Sequence, residues 1–511
     1  MFSLANESGW KAWRLIARQY YRSAALLVLC AQGCNVGPKY VKPSVQTPAS
    51  FKEAPAAKEN TGTVWRAAQP QDETQRGEWW KVYQDEQLDQ LEVDLNASNQ
   101  TIAAATANFV AARALVREAR SQYFPSVTTN PSIMNSRPSP AQFGGLQTEN
   151  AAASTVSVKS YTNYSLPFDA SWELDLWGRV RNAVRANVSA AQGSAADMEN
   201  IRLSAQAELA ADYYALEGQD ALKRTLERTT QTYRQTLELT KVRYKAGLDS
   251  EEAVFAAEAQ LRSAEAQETN VGVLRSQYEH AIAVLVGQPA STFSVSAKPL
   301  EAQPPVIPAG IPSDLLERRP DIASAERVMA QANAEIGVAK AAFYPTVTLS
   351  ATGGFGNSSF TDWLTWPSRF WSVGSGVAQS VFDAGLRRAV VQQYRADYDV
   401  AVANYRETVL TAFQQVEDDL AALRILSQVV EQQDSAVRAA ERNLQVAQVR
   451  YKSGLDPFLN VIAAQTILLN NQQAEVNYRT QQMEASVQLI KALGGGWDRT
   501  QLPTPKEAGA K

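Results

Sequence analysis

The chain has 511 residues, with 49 Lys and Arg against 53 Asp and Glu and a formal net charge of −4. That balance offers no basic surface for nucleic acid. The one histidine, His280, has no cysteine near it, and the two cysteines, Cys30 and Cys34, both lie near the N-terminus. The rest of the chain can therefore form no disulfide and holds no His/Cys metal pattern. Adjacent carboxylates such as Asp418 and Asp419 diverge on a helix, and no glycine-rich stretch ends in the Lys-Ser/Thr of a phosphate loop. No catalytic constellation or cofactor site emerges.

Arg14, Arg18 and Arg22 precede a short apolar run, Ala24 to Leu29, followed by the small residues Ala31 and Gly33 and then Cys34. Basic, apolar and small residues in that order predict a secretory signal over residues 1–33, and the run is too short to span a bilayer. Cys34 resembles the lipid-modified cysteine of bacterial lipoproteins, where acyl chains such as palmitate tether the mature protein to a membrane. A plain signal with an incidental cysteine is the alternative. Residues 34–84, rich in Pro, Ala, Lys and Gln to about Gln75, predict an extended arm.

From Asp85 to Tyr123, Leu88, Leu91, Leu95 and Ile102 recur at helical spacing, and Phe124–Pro125 ends the helix. The period then shortens to two. Val127, Thr129 and Ile133 face one way, and beyond a Pro/Gly/Asn-rich loop Tyr164, Leu166, Phe168, Ala170, Trp172 and Leu174 alternate with Ser165, Asp169, Ser171, Glu173 and Asp175. Such a strand has one apolar and one charged face. A long helix follows from Val180 to Ala246, then a return helix from Ser250 to Val286. Residues 289–312 contain six prolines and separate residues 85–288 from a second unit, 313–493, that repeats the order. There a helix from Pro312 ends at Phe343–Tyr344–Pro345, and a strand is predicted over Trp371–Phe382. The next long helix carries a seam through Leu426, Val430, Val437, Leu444 and Tyr451, interrupted at Gln433. Residues 494–511 read as a flexible tail.

The duplication is explicit. Arg243–Tyr244–Lys245–Ala246–Gly247–Leu248–Asp249 and Arg450–Tyr451–Lys452–Ser453–Gly454–Leu455–Asp456 differ at one position and stand 207 residues apart, as do Gly178 and Gly385. No proline interrupts either interval from Gly178 to Gly247 or from Gly385 to Gly454. At about 1.5 Å per residue each interval spans roughly 100 Å as a helix. No later segment is long and apolar enough for a membrane helix, so any membrane crossing must be made by strands. Each unit supplies two strands, too few per chain to close a barrel. An open sheet edge cannot face lipid, so this reading demands oligomerisation.

The chain resembles the outer-membrane efflux proteins of the TolC type and, within them, the NodT-like lipoproteins serving resistance–nodulation–division (RND) pumps. The resemblance rests on Cys34 to Tyr40, Trp79–Trp80, Asp175–Leu176–Trp177–Gly178–Arg179, the Leu-Leu-Glu-Arg-Arg-Pro-Asp-Ile run at 315–322, and both heptapeptides. It implies a mainly α chain of duplicated long-helix hairpins, assembled as a homotrimer with a twelve-stranded outer-membrane barrel above a periplasmic α-barrel. It also implies a membrane-fusion adaptor and an inner-membrane RND transporter as partners, and no enzymatic activity. Arg243, Tyr244, Gly247, Leu248, Arg450, Tyr451, Gly454 and Leu455 would form adaptor-docking tip turns. Helix capping is the plainer reading of the same residues. Relatives carry aspartates near the tip where this chain has Asn460, Ala463 and Ala253. The expected gate is therefore Leu459 and Asn460 with Asp249, Glu251, Glu252 and Asp456, and Trp172, Trp363, Trp366 and Trp371 are expected to form an interfacial aromatic girdle. Type I protein secretion and a lipid-tethered periplasmic coiled-coil bundle without a pore are the competing functions.

Overall fold

Two helices of 67 residues, each opened and closed by a glycine at positive φ, set the dimensions of the molecule. The computed structural model describes residues 35–53, 77–137, 139, 159–307 and 312–509. The predicted signal and Cys34 lie outside these residues. In chain order the elements are α1 (Glu86–Ser98), α2 (Gln100–Ser121), β1 (Ser126–Thr129), β2 (Ser132–Ser136), β3 (Tyr161–Leu174), α3 (Arg179–Lys245) and α4 (Glu251–Leu285). A single helical turn at Leu315–Arg318 leads into α5 (Pro320–Ala341), β4 (Thr346–Asn357), β5 (Arg369–Ala378), α6 (Leu386–Lys452) and α7 (Phe458–Ala492). Near the strands the helices lie side by side in the order α2, α3, α5, α6; towards the far end the order is α4, α3, α7, α6. Both rows are four helices wide, and α3 and α6 belong to both.

The sheet runs antiparallel in the order β1, β3, β4, β5, with β2 also paired to β3. β1 and β2 are thus one edge strand interrupted at Asn130–Pro131, where proline can donate no ladder bond. The register puts Trp172 opposite Leu349, Val347 opposite Val377, and Gly353 between Phe168 and Trp371. The other face carries Asp169, Thr352 and Ser372, with the Thr352 hydroxyl donating to Asp169 over 2.7 Å. The two-sided pattern predicted for the strands is therefore present. β5 is shorter than the predicted Trp371–Phe382 strand, because its ladder ends at the Thr346–Ala378 pair and the Gln379 amide bonds the Phe343 carbonyl instead.

The single helix predicted from Asp85 to Tyr123 is two. Asn99 breaks it, accepting from the Ile102 N–H at 3.0 Å and donating to the Leu285 carbonyl at 2.8 Å. A side-chain amide that caps one helix and ties down the end of another outweighs the helical spacing around it. At mid-height the core gathers Trp79, Trp80, Leu88, Leu95, Tyr213, Tyr214, Ile282 and Met483 from both repeats. The proline-rich segment is pinned there by Lys298, whose ammonium lies 2.5 Å from Asp85 and 3.1 Å from Glu217. The C-terminal residues up to Gly509 are not a loose tail. Trp497 is buried against Ala196 and Ala323, Gln192 donates to the Pro503 carbonyl, and Arg120 donates to the carbonyls of Pro505 and Gly509. The interruption of the α6 seam is also satisfied, since the Gln433 amide donates at 2.9 Å to the backbone and side chain of Asn471 on α7.

One carboxyl in the core is unsatisfied. Glu92 on α1 is fully buried, and neither of its oxygens has a hydrogen-bond partner among the described residues. Burial, reinforced by Asp89, pushes its pKa up to about 9. The folded state thus holds a proton that the unfolded chain releases near pH 4.5, and stability falls as pH rises from there towards 9. Glu92→Gln should raise the unfolding temperature by a few degrees at pH 8 and flatten its decline with pH, read by thermal unfolding in detergent. The gain comes from proton linkage alone, since the amide leaves the site's polar atoms as unpaired as the carboxyl does, and it should vanish as pH falls towards 4.5.

Candidate gate at the helical tip

The two heptapeptides stand at the ends of α3 and α6, remote from the sheet. Each closes its helix in a Schellman motif. The Leu248 N–H bonds the Arg243 carbonyl and the Gly247 N–H that of Tyr244, with matching bonds from Leu455 to Arg450 and from Gly454 to Tyr451. Gly247 and Gly454 sit at φ +74° and +70°, a conformation that glycine adopts without steric cost. Sequence and backbone thus agree on why the hairpins reverse here.

The turns also build matching ion pairs. Arg243 Nε donates to Asp249 Oδ2 at 2.9 Å, and Arg450 donates through Nε and Nη2 to the two oxygens of Asp456 at 2.6 and 2.9 Å. Hydrogen bonding from Arg450 holds the Asp456 carboxyl below its ordinary range, with the Asn460 amide adding to the effect. At the first turn a third member comes from the other hairpin. The Tyr451 hydroxyl donates to Asp249 at 2.5 Å, lies 3.3 Å from the Thr240 hydroxyl, and presents its ring 4.7 Å from the Arg243 guanidinium. Arg243 also donates to the Lys452 carbonyl at 3.3 Å. Tyr451 is buried in a cluster with Tyr233, Leu237, Phe458 and Val461, so this link joins the hairpins inside an apolar setting, where hydrogen bonds to charge are strongest.

The remaining expected gate residues do not gather into one site within the chain. Leu459 and Asn460 are exposed in the first turn of α7, and Glu251 and Glu252 are exposed in the first turn of α4, where acidic side chains suit the helix N-terminus. The sequence offers Tyr451 and Tyr244 alike for interhelical pairing or adaptor contact, and does not single out Tyr451 as the bridge between hairpins. The repeat itself hid this, because Tyr244 occupies the same position in the first copy.

The tryptophans divide between the two ends of the sheet. Trp172 lies at the helical end, its indole N–H donating to the Tyr123 carbonyl at 3.0 Å. Trp363 and Trp366 lie on the connection at the opposite end, beside the exposed Trp371 at the start of β5. Trp363 packs against Tyr164 and Phe360, and Arg369 stacks 4.0 Å over Trp366. The N-terminal arm docks at the helical end. The Asn182 side chain donates to Asn35 at 2.8 Å, the Val36 N–H bonds the Trp177 carbonyl, and Tyr40 donates to Glu326 at 2.8 Å. Asn35 is thereby held where β3 gives way to α3. Among the described residues no helix is long and apolar enough to cross a membrane and no cluster of potential metal ligands is present.

The model of the family described as outer membrane efflux protein matches residues 92–288 and 311–495. The toluene efflux pump outer membrane protein TtgC of Pseudomonas putida is 30% identical over 482 residues, covering 93% of this chain and 95% of that protein. The pyoverdine export outer membrane protein OpmQ of the same species is 29% identical, covering 89% and 94%. Among solved structures, the outer-membrane channel OprN superposes with a TM-score of 0.80 at 28% identity, covering 91% of this chain and all of that one. The outer membrane protein VceC of Vibrio cholerae gives 0.75 at 28% identity, covering 82% and 99%. The fold is shared with these solved channels over most of the chain, and the chain belongs to the outer membrane efflux protein family, as the outer-membrane exit channel of an efflux pump.

Proposed function

We propose that three copies close their sheets into one twelve-stranded barrel and their helices into a duct of twelve, and that the duct is shut at the tip by the Tyr451–Asp249–Arg243 link. The observation that carries this is the sheet of a single chain. It has open edges on β1/β2 and β5, and Val127, Ile133, Trp371, Val373 and Val377 are exposed on its apolar face. In lipid those edges find no partner except another copy. Apolar side chains facing out and Asp169, Thr352 and Ser372 facing in give a wall with lipid outside and water inside. Trp172 at one end and Trp363, Trp366 and Trp371 at the other then form the two aromatic belts.

The tip turns, with Tyr244, Leu248, Arg450 and Leu455 exposed and Arg243 mostly covered beside Asp249, offer the docking face for a periplasmic membrane-fusion adaptor, which connects the duct to an inner-membrane RND transporter. Leu459 and Asn460 narrow the opening, beside Asp456. The duct conducts passively, and small molecules such as drugs or solvents reach it through the pump. The docking of Asn35 at the strand–helix junction supports lipidation of Cys34, since an acyl chain on the preceding residue would start at the level of the membrane surface.

Planar-bilayer conductance of the full-length protein, with its mass in detergent measured on the same sample, tests the reading: a trimer with small, mostly closed channels is expected, and a non-conducting monomer overturns it. Tyr451→Phe removes a buried hydrogen bond to a carboxylate, an interaction of about 1.5–3 kcal/mol. The open fraction should rise about tenfold or more. Leu459→Ala and Asn460→Ala should each raise the single-channel conductance; unchanged conductance in both would remove them from the gate. The Arg450–Asp456 pair is complete at neutral pH and is lost only as pH falls through the lowered pKa of Asp456, so opening in wild type should increase on acidification to below the ordinary carboxylate range and not before. The response should be blunted in Asp456→Asn.

A further inference from the structure

The two hairpins are related by the 207-residue repeat, yet equivalent side chains at the tip have unequal surroundings. Tyr451 is 2% exposed and bonded to Asp249, whereas its counterpart Tyr244 is 43% exposed and its hydroxyl has no partner among the described residues. Leu239 on α3 and Ile462 on α7 pack against the same apolar cluster. Their counterparts Val446 on α6 and Phe255 on α4 are 57% and 61% exposed. Asp456, like Asp249, is held by its own arginine, and in this chain no tyrosine reaches it.

These differences have one geometric origin. Near the tip the helices lie in the order α4, α3, α7, α6. The contact of α3 with α7 is made inside the chain, and its repeat equivalent is a contact of α6 with α4. Those two helices are the outer edges of the row and can meet only between copies. We propose that each copy donates the Tyr244 hydroxyl to Asp456 of the neighbouring copy, over a Phe255–Val446 apolar contact, forming a second latch that alternates around the tip with the intrachain Tyr451–Asp249 link. The occupant of this edge is a second copy of the same chain. The argument is that every residue type used by the intrachain latch, Tyr, Asp, Arg and two apolar side chains, recurs on the uncovered edges in the same relative places. One difference is retained: Thr240, beside Tyr451, has Ala447 as its counterpart, so the second latch lacks one hydroxyl and is the weaker of the two.

This inference rests on the trimer proposed above, and the test separates the two. Full-length Tyr244→Cys/Asp456→Cys protein is treated with a short bismaleimide, because a hydroxyl-to-carboxylate link spans more than a disulfide can bridge. The intrachain pair Tyr451→Cys/Asp249→Cys is treated in parallel, and the four single variants, which keep Cys30 and Cys34, set the background. The Tyr244/Asp456 pair should give covalent dimers and trimers on a denaturing gel, and the Tyr451/Asp249 pair should react within single chains only. A trimeric mass in detergent with no ladder above the single variants overturns the latch and leaves the trimer standing. A monomeric wild type overturns both. As a second readout, Tyr244→Phe should raise the open fraction several-fold, and less than Tyr451→Phe does; an open fraction equal to that of wild type contradicts the latch.

Discussion

Backbone hydrogen bonding at the edge of the sheet is the constraint on which the architecture depends. A strand in lipid must pair along both sides, and one chain here leaves β1/β2 and β5 with one side open. Closure by other copies fixes the cross-section of everything attached to the strands. Because each chain carries a row of four helices below its sheet, closing the sheet brings the helical rows edge to edge as well. The exposed apolar side chains along α4 and α6, Phe255 and Val446 among them, follow from this, and they need no separate explanation as surface defects.

Much of this was legible in the sequence because the signals were strong and local. Proline after Phe124 and after Tyr344, glycine at 178, 247, 385 and 454, and strict alternation from Tyr164 to Leu174 each restrict the backbone directly. The misread stretches were settled by contacts across the chain. Asn99 is a residue type that suits a helix N-cap, but the break is fixed only where the Leu285 carbonyl takes its amide, and residues 497–509 look unstructured until Ala196, Gln192 and Arg120 are placed beside them. Glu92 carries no signal in the sequence, because neither its burial nor its missing partners leave a local pattern.

The tip shows the limit of reading a repeat. Two nearly identical heptapeptides gave equal weight to Tyr244 and Tyr451, and the backbone geometry of both turns is indeed the same. Their side chains differ because a duplicated unit in a ring has one neighbour within the chain and another outside it. Identical turns therefore serve unequal interfaces, one fixed when the chain folds and the other formed when copies meet. A structure in which closure depends on both responds to changes in assembly as well as to changes within a protomer.

The docking of the N-terminal arm has a kinetic side. Residues 35–53 run along the helices, from Asn35 beside Gly178 to Phe51, which is buried with Leu315 and Val416. An acyl chain joined to Cys34 would confine each newly exported chain to the membrane surface with its strands at the right depth. Copies would then search for one another by lateral diffusion in a thin layer instead of through the periplasmic volume, which raises their effective concentration without any added contact. Loss of the acyl group would on this account slow the formation of trimers more than it weakens those already formed.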